Sequence, residues 1–171
     1  IEELRRLRKV SKKATFVFGY VQKNELKELV DLNGILGIYS IEQLTNLDRA
    51  AKNLNATVQV HLCIDSALGR DGILLEELQD LIDDAKKLSN IVITGLYSHF
   101  ANIEDTQDFS HAKKQIDLYD KAIKLIESNG FKNLQTHISS TAGTMVYESK
   151  LGLNSLVRIG IGLYGMFPSS Y

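Results

Sequence analysis

Short runs that read as strands alternate along this chain with longer runs that read as amphipathic helices. Thr15 to Phe18, Gly37 to Tyr39, Thr57 to Ile64, Ile91 to Tyr97, Leu134 to Ile138 and Ser155 to Ile159 have strand character. Asn24 to Leu32 reads as a helix stopped by Asn33-Gly34. Ser40 and Gln43 form a capping box, after which Leu44, Leu47, Ala51 and Leu54 hold one helical face apolar. Leu75, Leu78, Ile82 and Ala85 mark another helix. Phe109, Ala112, Ile116, Tyr119, Ile123 and Ile126 mark a long one that Asn129-Gly130 ends, and a short helix is expected between the last two strands. A repeated β-α unit implies a parallel sheet with right-handed crossovers. Thr57 to Ile64 narrows the choice. Val58, Val60, Leu62 and Ile64 fall on one side, and Gln59, His61, Cys63 and Asp65 on the other. A doubly wound sheet would show near-continuous apolar strands. A polar stripe has a natural place in the interior mouth of a (β/α)8 TIM barrel, which usually needs about 250 residues. With 171 residues, the expectation is an α/β fold holding part of such a barrel, approximately strands two to seven.

Composition removes several classes of function. The net charge is −1 with 44% hydrophobic and 24% charged residues, and basic residues do not cluster, so no nucleic-acid partner is implied. No apolar run approaches a membrane span and no signal-peptide pattern opens the chain, so no membrane partner is implied either. The lone Cys63 excludes an internal disulfide and fits a reducing compartment, with a cytoplasmic location expected. The chain begins at Ile1, which reads as a processed chain or a fragment.

In a barrel, chemistry sits where strands end and loops begin. Cys63, Asp65 and Arg70 close one strand. His99 closes the next, His137, Ser139, Ser140 and Thr141 close a third, and Arg158 with Gly160 closes the last. Hydroxyls at a helix start beside a glycine-rich turn make a phosphate cradle. Gly160, Gly162 and Gly165 also spell the dinucleotide fingerprint, but that motif needs a helix directly after it, and Met166-Phe167-Pro168 follows instead. Each residue has a plainer role open to it: Arg70 as a surface turn residue, His99 as a core histidine, Ser139 to Thr141 as caps, His61 as barrel filling. A metal site from His61, His99 and His137 lacks close ligand pairs, and none is expected.

Val60 to Gly72, Gly95 to Ala101, His137 to Ala142 and Val157 to Gly165 resemble, in order, the successive signatures of the alanine racemases. Gly37 to Leu44 resembles that family's third strand and helix. The resemblance implies an isomerase that interconverts L- and D-alanine on pyridoxal 5'-phosphate, supplies D-alanine for peptidoglycan, and works as a homodimer. It implies Arg158 at the cofactor's pyridine nitrogen, His99 supporting that arginine, and Arg70 reaching the phenolic oxygen. Thr141, Gly160 and Ile161 would lie at the phosphate, and Ser140 on the cofactor side. Two positions depart from the family. Cys63 stands where a carbamylated lysine often holds the arginine matching Arg70, so either another partner, such as Asp65 or a bound anion, holds Arg70, or Arg70 is looser. Ser140 stands where asparagine is usual.

The family's cofactor lysine lies on its first barrel strand, in a motif absent from residues 1–20, and its tyrosine base lies on a C-terminal β domain. Residues 1–171 therefore read as an incomplete N-terminal barrel domain, with the first strand and the β domain outside it and neither catalytic base within it. The alternatives are another barrel-type pyridoxal-phosphate enzyme, either a broad amino-acid racemase or a decarboxylase, and a non-catalytic pyridoxal-phosphate carrier.

Overall fold

The computed structural model describes residues 1–104, 106–147 and 155–168. Helix α1 (Glu2–Arg8) lies against the N-terminal edge of a five-stranded parallel sheet. Its strands are β1 (Phe16–Val17), β2 (Ile35–Ile38), β3 (Val58–Cys63), β4 (Ile91–Tyr97) and β5 (Gln135–His137), in the spatial order β1-β2-β3-β4-β5. Each strand is joined to the next by a helix: α2 (Leu26–Asp31, entered by a 3-10 turn at Lys23–Glu25), α3 (Ile41–Asn53), α4 (Leu78–Ala85) and α5 (Ser110–Ser128). A short α6 (Thr141–Tyr147) follows β5, and a second 3-10 turn spans Ile161–Tyr164. Sequential order with no strand exchange is the winding of a barrel, not of a doubly wound sheet.

The sheet is curled, and side chains show how tightly. Four inter-strand steps of about 4.8 Å would hold β1 and β5 roughly 19 Å apart in a flat sheet. The Phe16 ring on β1 nevertheless lies 5.2 Å from the His137 ring on β5, centroid to centroid. Only an arc approaching half a barrel brings these strands' inner faces together. The outer face carries the apolar core. Leu36, Ile38, Val60, Leu62 and Leu96 of the sheet pack with Leu44, Leu47, Ile82, Tyr119 and Ile126 of the helices, all fully buried. Each such aliphatic side chain contributes about 1.5–3 kcal/mol on leaving water.

Local chemistry sets the ends of these elements. Ser40 Oγ accepts from Gln43 N–H at 3.2 Å, and the Gln43 side chain accepts from Tyr39 N–H at 3.1 Å, one residue before the expected reciprocal donor. Gly130, at φ +95°, takes the left-handed position past α5 that the Asn129-Gly130 stop anticipates. At the end of α2 it is Asn33, at φ 49°, that adopts this conformation, not Gly34.

The sixth expected strand does not form. Ser155 to Ile159 runs beside β5, and both Ser155 N–H and Leu156 N–H donate to Thr136 C=O. Ser155 Oγ accepts from Thr136 N–H at 2.8 Å, taking the place that a ladder carbonyl would fill. A hydroxyl competing for the edge amide prevents regular pairing. The result is an irregular segment, with Leu156, Val157 and Ile159 exposed. Helix α4 also starts later than its periodicity suggests, at Leu78, because Leu75 lies in the preceding turn.

Candidate functional site

The polar stripe of β3 enters the barrel interior, where His61 and Cys63 are buried. Register explains their neighbours. His61 pairs with Gly37 on one side and Gly95 on the other, and Tyr97 pairs with Cys63 and His137. Small residues flank large ones, so the interior fills in layers. Gly37 is required here: a Cβ on it would sit 2.4 Å from the Tyr97 hydroxyl. Phe16 stacks on His61 at 4.9 Å, and Tyr97 lies nearly parallel to His137 at 5.4 Å.

Arg158 is the hub at the C-terminal mouth. Its Nη1 donates to His137 Nδ1 at 2.5 Å and to His137 C=O at 3.0 Å. Its Nη2 donates to Ser98 C=O at 2.6 Å, to Ile138 C=O at 3.3 Å and to His99 Nδ1 at 3.2 Å. The guanidinium carbon lies 5.3 Å from the centre of the Phe18 ring, a cation–π distance. Every polar partner is neutral, and no carboxylate among the described residues pairs with this cation. Burial pulls the Arg158 pKa downward, yet a guanidinium keeps its proton at any working pH. The site therefore presents a fixed positive donor, preorganised by carbonyls and imidazoles. Such a group suits a lone-pair acceptor or an anion.

The sequence reading named His99 as the support of Arg158. The geometry gives His137 the shorter contact and a second bond through its carbonyl. The signal for His137 was its position at a strand end, but strand position alone does not say which of two such histidines reaches an arginine 21 residues later. His99 is held from behind. Gln115 on α5, fully buried, donates from Nε2 to His99 C=O at 3.0 Å and accepts from Ala101 N–H at 2.9 Å. Tyr119, also on α5, donates to Leu96 C=O at 2.6 Å and accepts from His137 N–H at 3.0 Å. Neither residue stands out as a site residue in the sequence: Tyr119 reads as a member of α5's apolar face, and Gln115 reads as one more polar residue beside it.

Thr141 joins the same site. Its Oγ1 accepts from Gly160 N–H at 3.0 Å and, more weakly, from Gly162 N–H at 3.4 Å. A Cβ at Gly162 would lie 2.9 Å from Thr141 Cγ2, whereas Gly160 faces open space. Two backbone donors and a hydroxyl thus converge. Ile161 opens the 3-10 turn with its side chain outward. Ser140 does something plainer. Its Oγ lies 3.4 Å from Gly143 N–H and its C=O accepts from the Thr144 hydroxyl, so it steadies α6 and touches neither Arg158 nor Gly160.

Arg70 lies near enough to His99, Cys63 and Tyr97 to act on them through its charge, but its hydrogen bond goes elsewhere. It lies on the loop after β3, with its side chain 56% exposed, and its Nε donates to Asp71 Oδ1 at 2.8 Å. Asp71, not Asp65, holds it. Asp65 Oδ1 is occupied by Leu68 N–H and Gly69 N–H. So exposed an ion pair is worth at most about 1 kcal/mol. Burial pushes the Cys63 thiol up to about 11, which keeps it neutral and without charge to offer Arg70. Among the described residues no group of three or more His, Cys, Asp or Glu is placed to hold a metal ion. His61 and His137 do approach at 2.8 Å, but His137 is also committed to Arg158. A cleft of about 280 Å³ is bounded by Tyr20, Tyr39, Ser40 and Gln43, and Arg158 is not among its lining residues.

Burial holds His61 at about 4 and His137 at about 3, both below the usual 6.5. The unfolded chain takes up these protons first. Their contribution to stability is therefore complete above about pH 6.5 and falls as pH drops toward 4 and 3. Denaturant midpoints are expected to fall steadily between pH 7 and pH 5, and His61→Phe should flatten part of that slope.

A curled half-barrel of β-α units with a half-buried arginine at its C-terminal mouth defines a barrel-type α/β domain. Residues 1–168 match the family model for the alanine racemase N-terminal domain, and the chain belongs to that family. It is 31% identical over 154 residues to the alanine racemase of Methanococcus maripaludis, covering 90% of this chain and 40% of that protein. It is 32% identical over 153 residues to that of Carboxydothermus hydrogenoformans, with the same coverage of 90% and 40%. The solved alanine racemase of Clostridium difficile superposes with a TM-score of 0.89 at 28% identity, over 99% of this chain and 44% of that one. The chain thus spans about two fifths of its curated relatives' length. No helix among the described residues is long and apolar enough to cross a membrane.

Proposed function

We propose that this chain is the cofactor-binding barrel portion of an alanine racemase that uses pyridoxal 5'-phosphate and acts on alanine as a homodimer. The observation that carries the reading is Arg158: a preorganised cation with neutral partners only, at the mouth of a barrel of this family. The donor set fits the group. Arg158 would face the pyridine nitrogen, and Thr141, whose Oγ1 accepts from the Gly160 and Gly162 amides, would turn its hydroxyl hydrogen to the phosphate beside Gly160. Gly160 leaves the space open. Pyridoxal phosphate, when bound, supplies the electron sink that makes the α-proton of an amino acid removable. Arg158 retains its own proton, so an acceptor nitrogen before it gains a hydrogen bond and no charge. That restrains the sink, which favours simple proton exchange over side reactions.

No lysine lies on any of the five strands. The lysine that carries the cofactor and the tyrosine base are assigned to segments of the longer protein outside residues 1–171. The test is direct. The full-length protein with pyridoxal phosphate should interconvert L- and D-alanine, and the 1–171 piece alone should not. A full-length protein that binds the cofactor and leaves alanine unchanged would overturn the reading.

Gly160→Ala separates site from scaffold. Gly160 sits at φ −99° with nothing within 4 Å of an added Cβ. Stability should change by less than about 0.5 kcal/mol. Cofactor affinity should fall about tenfold or more, as the methyl fills space the phosphate needs. Equilibrium binding followed by cofactor absorbance reads this.

A further inference from the structure

Behind Arg158 runs a chain of two buried imidazoles whose hydrogens can be placed by elimination. A guanidinium only donates. His137 Nδ1, 2.5 Å from Arg158 Nη1, must therefore be bare. A neutral imidazole with a bare Nδ1 carries its hydrogen on Nε2. That atom lies 2.8 Å from His61 Nδ1, so His61 Nδ1 accepts and His61 carries its own hydrogen on Nε2. This last N–H is buried and has no hydrogen-bond partner among the described residues. All the hydrogens in the chain point away from Arg158.

We propose that His61 is a positioning residue for Arg158: by accepting from His137 Nε2–H, it locks His137 into the one tautomer whose bare Nδ1 receives the guanidinium. The proposal rests on the reading of Arg158 given above. The alternative tautomer of His137 would aim an N–H at a cation. That would push the Arg158 fork off His137 and loosen its aim toward the mouth. His61 is itself fixed for this task. Phe16 stacks on its ring, and Gly95 makes the room, since a Cβ there would meet His61 Cδ2 and Cε1 at 2.8 Å. His61 retains a buried N–H with no partner among the described residues, a costly feature for a residue that only fills space. Phenylalanine would fill the same volume without that cost.

The full-length protein, labelled with 15N-histidine and studied without cofactor, decides the tautomers. His137 and His61 should both show the Nε2–H form near neutral pH. In His61→Phe the His137 nitrogens should shift as the acceptor is lost. In the loaded enzyme kcat should fall about tenfold with KM for alanine within about twofold, the size of one lost hydrogen bond. His61→Asn, which can place an amide oxygen where Nδ1 stood, should restore both readouts. A His137 hydrogen found on Nδ1 in the unmutated protein would overturn the proposal. So would a His61→Phe protein with unchanged His137 signals and unchanged kcat. Should His61→Phe fail to fold, the unmutated spectrum and the Asn variant still decide. If instead the functional reading of Arg158 is wrong, the unmutated protein shows no alanine turnover, an outcome separate from the tautomer result.

Discussion

On the proposed function, Arg158→Glu is expected to reduce alanine racemisation by the full-length protein about 10²- to 10³-fold in kcat, the usual loss on removing one preorganised donor at a reacting centre. Reversal of charge adds a second signature. A carboxylate facing the ring nitrogen favours its protonation, so the visible absorption of the bound cofactor should change along with the rate. The fold suffers as well. Ser98, His137 and Ile138 carbonyls now receive the guanidinium, and a carboxylate in its place would repel all three. About 1–3 kcal/mol of stability should go with it. Arg158→Lys should not rescue turnover, because a single ammonium cannot span both imidazoles and these carbonyls. A glutamate variant with an unaltered spectrum and rate would remove Arg158 from the site.

Gly95→Ala is the second large effect. The added Cβ would lie 2.5 Å from Gln135 C=O on the neighbouring strand and 2.8 Å from two atoms of the His61 ring. One obstacle is backbone within the ladder, and the other is a ring pinned against Phe16. Neither gives way without disturbing the β4–β5 pairing or the His61–His137 contact. A loss of about 3 kcal/mol is expected, which lowers the melting temperature by roughly 6–12 °C in a protein of this size. Gly160→Ala, into open space, is the matched control. Equal melting temperatures for the two variants would show that the interior is looser than its layers imply.

Much of this was legible in the sequence because periodicity reports burial. The 3,4 spacing of α5 and the alternation of β3 each follow from which side chains must leave water, and both elements fall where the spacing puts them. The strand expected over Ser155 to Ile159 failed because one hydroxyl, Ser155 Oγ, takes the Thr136 amide. Residue type alone does not tell whether a serine caps, pairs or interferes. Arg70 and Asp71 illustrate the same limit. The missing lysine at Cys63 was plain to read, but which neighbouring carboxylate turns toward Arg70 depends on the loop's path.

The order of residues by itself determined that the chain winds as parallel β-α units, that β3 carries a polar stripe to the interior, and that Arg158 stands beside a glycine turn. Those are local facts, fixed by spacing and side-chain chemistry. Only the tertiary structure decided that the sheet curls until Phe16 of β1 meets His137 of β5. It alone decided that His137 is the nearer support of Arg158 and that His61 stands behind it. The physical reason is that curvature and interstrand register set distances between residues far apart in the chain. An imidazole's tautomer, in turn, is fixed by what stands on each side of it in space.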